Sequence, residues 1–258
     1  ADRSCYEIAV LQEPEGRGGS QLMHRIFEPG RRVFVSKPIN HFELDPSAKM
    51  SLLFGGGIGV TPMLAFAHEL HRKGGAFRLM YSASQQSKAA FHGAFDDLAW
   101  ADRVSRHYSD QGTRLDIAQA VPAYEAGMHI YVCGPDAYMS AILDHARSIG
   151  YPEVALHAEF FTLPELPEWE NFPFEIERAN GQKIPVTAAQ PASDALIAAG
   201  VPVDVKCADG LCGVCKCTLL AGEVEHRDFV LSAAQRETTV ILCQSRAAKA
   251  GGVLKLDI

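Results

Sequence analysis

Four cysteines in the last fifth of the chain follow one pattern: Cys207-x4-Cys212-x2-Cys215, with Cys243 after 27 intervening residues. Three thiolates from one loop and a fourth from a distant segment must converge on a common centre, which constrains the path of the chain more than any other feature. The spacing is that of plant-type [2Fe-2S] sites. Ala208, Gly210 and Gly213 are small enough to let backbone N–H groups turn toward the sulfurs, where their hydrogen bonds stabilise added negative charge. Structural zinc is the alternative, but zinc ribbons pair two C-x2-C knuckles and this chain has one. A Rieske centre needs two histidine ligands, and no C-x-H occurs. Cys217, two residues past a ligand, reads as a packed neighbour of the site.

The 258 residues, 47% hydrophobic and 21% charged, suffice for about two domains of ~100–150 residues and a small remainder. Lys and Arg number 24 against 31 Asp and Glu, a net charge of -7 without a basic block, which excludes the electrostatic footprint of a nucleic-acid binder. No run approaches the ~18 apolar residues of a membrane span, and residues 1–20 lack the basic start and apolar middle of a signal peptide. Seven cysteines make an awkward disulfide framework, so the expected location is the cytoplasm.

Along the chain, Tyr6–Leu11 and Arg32–Ser36 read as short antiparallel strands. That segment is too short for a domain, and Ala1 is not a Met, so residues upstream are expected. From Met50 apolar strands alternate with amphipathic helices: strands at Ser51–Phe54, Phe77–Tyr81, Arg103–His107 and Ile130–Cys133, helices at Pro62–Lys73, Ala89–Leu98, Leu115–Ala120 and Asp136–Ile149. Strict alternation implies a parallel sheet. Residues 162–173, rich in Pro and Glu, suggest a stiff linker. Beyond it, Asn180-Gly181 marks a hairpin, and Ser193 can cap a helix over Asp194–Ala199. No internal repeat is present.

Three further motifs carry chemistry. Gly55-Gly-Gly-Ile-Gly-Val-Thr-Pro62 joins a strand to a helix; Thr61 can cap that helix and Pro62 suits its first turn, leaving N–H groups for a pyrophosphate. A plain tight turn reads equally well, and Val60 departs from G-x-G-x-x-G. Tyr131-Val-Cys133-Gly134-Pro135 ends a later parallel strand, so both loops open onto one crevice. Cys133 there suits contact with a nicotinamide, with a buried structural cysteine as the bland reading. Gly16-Arg-Gly-Gly-Ser20 before a helix makes a phosphate nest or a surface turn.

In this order, and ahead of a cluster motif, these segments resemble the phthalate dioxygenase reductase family, which includes the vanillate demethylase reductases. The resemblance covers essentially the whole chain. It implies a partial antiparallel flavin β-barrel over 1–45, a doubly wound NAD domain over 46–161, a linker over 162–173, and a β-grasp [2Fe-2S] ferredoxin domain over 174–258, an α/β plus α+β architecture. It places FMN on Arg17, Gly18, Gly19, Ser20, Thr61 and Phe161, with Phe160 as second choice in the segment His157-Ala-Glu-Phe-Phe161. The nicotinamide nucleotide falls to Gly56, Gly57, Gly59, Pro62, Cys133, Gly134 and Pro135, with Cys133 and Thr61 nearest the hydride transfer, and the cluster to Cys207, Cys212, Cys215 and Cys243. The family's upstream Arg-x-Tyr-Ser motif is absent from this sequence.

The implied activity is electron transfer from NADH through FMN and the cluster to a separate terminal oxygenase of Rieske type acting on an aromatic, by a monomer that needs neither membrane nor nucleic acid. Gln85-Gln86, where an Arg would favour a 2'-phosphate and an acid the free ribose, leaves the nucleotide to the resemblance, which favours NADH. Asp204 and Asp209 can steer a basic partner, or simply be solvated. Two other classes remain open: a ferredoxin-type carrier without dehydrogenase activity, and the reductase tail of a self-sufficient haem monooxygenase.

Overall fold

A computed structural model describes residues 4–35, 37–161 and 168–258. The chain forms two compact units, Ala1–Ala158 and Glu159–Ile258.

The first unit is built on a sheet. Strands β1 (Met50–Gly56), β2 (Ala76–Ala83), β3 (Val104–Tyr108), β4 (Met128–Cys133) and β5 (Leu156–Glu159) lie in the order β3-β2-β1-β4-β5. β1 pairs in parallel with both β2 and β4, and β2 in parallel with β3. Leu52, Leu53 and Phe54 are all buried, the uninterrupted apolar run of a strand covered on both faces. Helix α2 (Val60–Lys73) buries Val60, Met63, Phe66 and Ala67 on one stripe and stops at Gly74, whose φ of 72° is the left-handed turn a glycine makes at least cost. Helix α4 (Asp136–Ser148) buries Met139, Ile142 and Ala146 in the same way, and the short α3 (Ile117–Ala120) lies between β3 and β4.

Three expectations differ here. Residues 89–98 form no α-helix: a 3-10 turn at Gln86–Lys88 is followed by another at His92–Phe95. Phe91 takes a left-handed φ of 59°, which interrupts any helix, and the turn drives Phe95 into the core 5.6 Å from the Tyr81 ring. The helix expected from Leu115 begins only at Ile117, because the Asp116 carboxylate accepts from Gln119 N and caps it there. Tyr6–Leu11 and Arg32–Val35 belong to no strand among the described residues; Ser36 lies outside them. A strand requires another strand hydrogen-bonded beside it, and neither run has one among the described residues. Instead the segment carries an exposed helix, α1 (Gly19–Ile26), and Tyr6, Ile8, Phe34 and Val35 face solvent.

The second unit holds strands β6 (Phe174–Arg178), β7 (Lys183–Val186), β8 (Lys216–Ala221), β9 (Val224–Glu225), β10 (Thr239–Ile241), β11 (Arg246–Ala247) and β12 (Val253–Asp257), with helices α5 (Ala192–Ala198) and α6 (Ala233–Arg236). Five strands form a mixed sheet in the order β10-β8-β12-β6-β7, and β9 with β11 makes a separate ribbon. The β6–β7 hairpin turns at Asn180-Gly181, where Gly181 has φ 83°. Leu196 of α5 packs with Ile176, Ile184 and Leu254 in one core. Ser193 does not cap α5; Pro191 precedes the helix, and Ser193 is itself buried inside the first turn with its N–H bonded to Leu242 O.

Two buried arginines fasten the start of this unit. Arg227 donates to Asn171 Oδ1 at 2.6 Å and Glu170 O at 3.1 Å and lies over the Trp169 ring. Arg246 donates to Phe172 O and Thr187 O and lies over Phe174. Of the segment expected as a linker, residues 162–167 lie outside the described residues.

Candidate functional site

The loop from Cys207 to Cys215 is shaped by left-handed residues. Ala208, Gly210 and Gly213 have φ of 60°, 73° and 63°, and each reversal aims successive N–H groups inward, as anion-binding nests do. Asp209 N donates to Cys207 Sγ at 3.3 Å. Burial opposes the Cys207 thiolate, but the N–H groups of Asp209, Leu211 and Cys212 and the Cys212 thiol hold its pKa below the ordinary range. Across the loop, a hydrogen bond from the Cys243 thiol, with backbone donors, lowers Cys215 to about 6, while Cys243 is pushed up because its proton is held between the two sulfurs. The pair gives up one proton readily and the second reluctantly. Thiols that share protons in this way bind iron as thiolates, so the four cysteines fit an iron–sulfur cluster.

The loop is held from outside as well. Gln244 Nε2 donates to Ala208 O at 2.7 Å, and Phe229 N to Gly210 O at 3.2 Å. The buried Asp228 carboxylate accepts from Leu231 N at 2.9 Å, and its carbonyl accepts from Arg236. Cys217 stands apart: buried in the core of the unit, its thiol pushed up to about 11, it donates weakly to Thr218 O and Asp257 O.

In the first unit the sheet order reverses between β1 and β4, which is where a doubly wound sheet opens a crevice. The two loops there interlock. A Cβ added at Gly59 would lie 2.2 Å from Cys133 O, one at Gly56 2.9 Å from Pro135 Cδ, and one at Gly134 2.8 Å from Gly56 Cα. These glycines are therefore demanded by packing. Gly57 differs: its φ is 56° and an added Cβ would meet nothing within 4 Å, so it faces open space at the mouth of α2. Gly59 is the N-cap of α2, no side chain caps it, and its first turn carries no acid. Thr61 does not cap, contrary to expectation, because the helix already starts at Val60; its hydroxyl donates back to Ile58 O at 2.9 Å. The Val60 N–H is taken up by the 3-10 turn Gly57–Gly59 before it, and the start of that turn, open at Gly57, fits a pyrophosphate.

A cleft of about 410 Å³ runs from Gly56, Gly57 and Pro135 past Ser82, Ser84 and Tyr138 to His107 and Arg114. Cys133 is wholly buried beneath it, with its carbonyl against Gly59.

At the N-terminal segment, Gly18 has φ 87° and caps α1, with no acid in the first turn. Ser20 Oγ accepts from Glu13 N at 3.0 Å, and Gln21 Nε2 donates to Pro14 O at 2.7 Å, so the turn around the exposed Arg17 is closed by its own side chains. Nothing lies within 4 Å of a Cβ added at Gly18 or Gly19, an open helix start that fits a phosphate. Phe160 lies 5.1 Å from the Phe229 ring, whereas Phe161 is 48% exposed.

The chain is similar to known proteins along most of its length. Residues 176–248 match the model of the 2Fe-2S iron-sulfur cluster binding domain. The chain is 38% identical to a vanillate O-demethylase oxidoreductase of a Pseudomonas species, over 98% of this chain and 82% of that one. The solved structure of phthalate dioxygenase reductase matches over 96% of this chain and 78% of its own, at 34% identity and a TM-score of 0.62. The chain belongs to the phthalate dioxygenase reductase family. It also matches an intact type IV self-sufficient cytochrome P450 monooxygenase at 34% identity and a TM-score of 0.88, over 97% of this chain but only 33% of that one. Among the described residues no helix is long and apolar enough to cross a membrane.

For an oxygenase reductase, the sequence pointed to the glycine loops and cysteines but not to the walls around them. Ser82, Arg114 and Tyr138 come from β2, the loop before α3, and α4, and only the sheet brings them together. The sequence also hid a cluster at the other end of β4. His129 Nδ1 and His157 Nε2 lie 2.9 Å apart, close to the Asp45 carboxylate. The two rings are within 12° of parallel with centroids 5.2 Å apart. Burial and then the His129 charge lower His157 to about 4. Tyr131 stacks on His157 at 4.5 Å and accepts from Asp45 N at 2.8 Å, which fastens residues 42–45 to the sheet.

Proposed function

We propose that this chain, as the reductase of a multi-component oxygenase, draws electrons from NADH and passes them through FMN and a [2Fe-2S] cluster to a terminal oxygenase of Rieske type. When bound, the flavin takes up a hydride and releases electrons singly, and the cluster carries one at a time. The chain's residues supply position. The helix start at Gly57–Val60 holds the pyrophosphate, Gly134 and Pro135 line the nicotinamide end with Cys133 beneath them, and Thr61 and Pro62 shape the first turn. Gly18, Gly19 and Ser20 hold the flavin phosphate with Arg17 beside it, and Phe161 covers the ring system. Cys207, Cys212, Cys215 and Cys243 hold the iron. The carrying observation is the thiol cage with its inward N–H groups on a chain of this family.

The protein works as a cytoplasmic monomer, its aromatic substrate chosen by the oxygenase, and Asp204 and Asp209 steer the partner. The test is anaerobic addition of NADH to flavin- and cluster-loaded protein. Bleaching of the flavin, then of the cluster, is expected; a flavin left oxidised overturns the reading. Likeness to the self-sufficient cytochrome P450 favours a second reading, in which the same electron path feeds a haem on the same polypeptide. A Soret band in the native protein, and its intact mass, separate the two.

A further inference from the structure

Both ring nitrogens of His226 face acceptors. Nε2 lies 3.1 Å from the Arg236 carbonyl, which can only accept, so Nε2 carries the proton of the neutral ring. Nδ1 is then a bare lone pair 3.6 Å from Asp228 Oδ1, in a contact sealed from solvent. A water donating to both atoms over about 2.8 Å each would hold them roughly 4.5 Å apart, so the contact is matched only when Nδ1 also carries a proton. The Asp228 side chain is wholly buried, and its other oxygen is held by Leu231 N at 2.9 Å. Asp228 and Arg236 are the charges that act on the ring; its neighbours in the chain, Glu225 and Arg227, are bonded to each other. Burial keeps the ring's pKa below the ordinary range against the pull of Asp228, so the ring stands neutral and one proton short of a full match. The same turn is pressed against the cluster loop: Phe229 N donates to Gly210 O at 3.2 Å, and Asp228 Cα lies 3.2 Å from where a Cβ at Gly210 would stand. Gly210 stands between two of the four cysteines, so a negative charge gained there reaches the ring through buried protein, where salt screens little.

We propose that His226 takes up a proton at Nδ1 when the cluster gains an electron and releases it when the electron leaves, with Asp228 positioning the imidazolium. The proposal rests on the reading that the four cysteines hold an iron–sulfur cluster reduced from NADH through the flavin, and it adds a proton to that electron path. The step balances. One electron enters from the flavin as one proton enters the ring from solvent over its exposed edge, the side chain being 13% exposed. Both depart when the terminal oxygenase accepts the electron, the proton returning to solvent. By reciprocity, a reduction that draws a proton to His226 is itself favoured by that proton.

The test is a potentiometric titration of the flavin- and cluster-loaded protein from about pH 5 to about pH 9, with the reduced cluster read by its electron paramagnetic resonance so that the flavin does not enter. The midpoint potential of the cluster should fall as the pH rises through the His226 titration and level off above it, with a limiting slope of about 59 mV for each tenfold change in proton concentration. His226→Gln keeps a donor for the Arg236 carbonyl but cannot titrate, and its potential should be level with pH at unchanged iron content. Asp228→Asn offers an N–H to Nδ1 and so matches the neutral ring. Its slope should move to lower pH by about one unit or more while the melting temperature at neutral pH holds, a pairing that a purely structural aspartate would not give. A parent potential level across the whole range, or a slope that survives in His226→Gln, overturns the proposal. Should His226→Gln lose its cluster, Asp228→Asn decides, and an unmoved slope there overturns it. A parent protein that takes up no cluster, or whose flavin NADH leaves oxidised, would instead overturn the underlying functional reading.

Discussion

The nucleotide crevice and the cluster loop are both rich in glycine, for opposite reasons. In the crevice, Gly59 and Gly134 have no room for a side chain because two loops are pressed together. In the cluster loop the shared limit is handedness, with Gly210 crowded as well: Ala208, Gly210 and Gly213 reverse the chain with positive φ, and one of the three positions tolerates a Cβ. Crowding and handedness leave the same mark in a sequence, yet they fail differently. A crowded glycine holds two segments at a fixed distance, whereas a left-handed one aims N–H groups at a target.

The widest contrast comes from removing what each loop is built to hold. Cys212→Ser takes away one of four iron ligands, and the expected outcome is loss of the cluster and of electron delivery to an external acceptor, with flavin reduction by NADH preserved. Iron analysis and stopped-flow spectroscopy check this, and loss of both activities would contradict the order of transfer.

Gly59→Ala forces a Cβ into the Cys133 carbonyl, which must push the loops apart at a cost of about 3 kcal/mol or more. NADH affinity should collapse with iron content unchanged. Gly213→Ala should cost only about 1–2 kcal/mol, the price of left-handed geometry, and should lower cluster retention rather than nucleotide binding. Equal effects on one readout would erase the distinction drawn here.

Ala208→Gly is the smallest substitution effect. Relief of left-handed strain is offset by the added freedom of glycine in the unfolded chain, so stability should shift by less than about 1 kcal/mol. A denaturant titration of the cluster-loaded protein checks it.

A pH series sharpens the comparison from a third place. His157 has a folded pKa lowered to about 4 from an ordinary 6.5, so between those values the unfolded chain binds more protons. Stability should therefore be full above pH ~6.5 and fall as the pH drops toward ~4. His157→Gln should flatten that slope, while the cluster loop's own acid sensitivity persists. A slope unchanged in the variant would remove His157 from the account.

How much of this was legible depended on how local the signal was. The cysteine spacing could be read because a metal site writes its ligands close together. Leu52–Phe54 could be read because a strand buried on both faces is apolar throughout. Thr61 was misread as a cap because the glycines before it let the helix begin two residues earlier, at Val60. Tyr6–Leu11 was misread as a strand because alternation describes a face, not a neighbour to pair with. Ser82, Arg114 and Tyr138 carried no signal, since their nearness exists only across the sheet.

The arginine clasp at the start of the second unit has a mechanical consequence. Arg227 grips Trp169, Glu170 and Asn171, and its own carbonyl and the Asp228 Cα lie 3.4 Å and 3.2 Å from where a Cβ at Gly210 would stand. A force applied to the chain at residue 168 therefore reaches the cluster loop through one side chain before it loads any strand of the sheet. Under tension the iron site acts as the anchor bolt of its own tether, and the first rupture in a pulling experiment is expected at Arg227 rather than at β6.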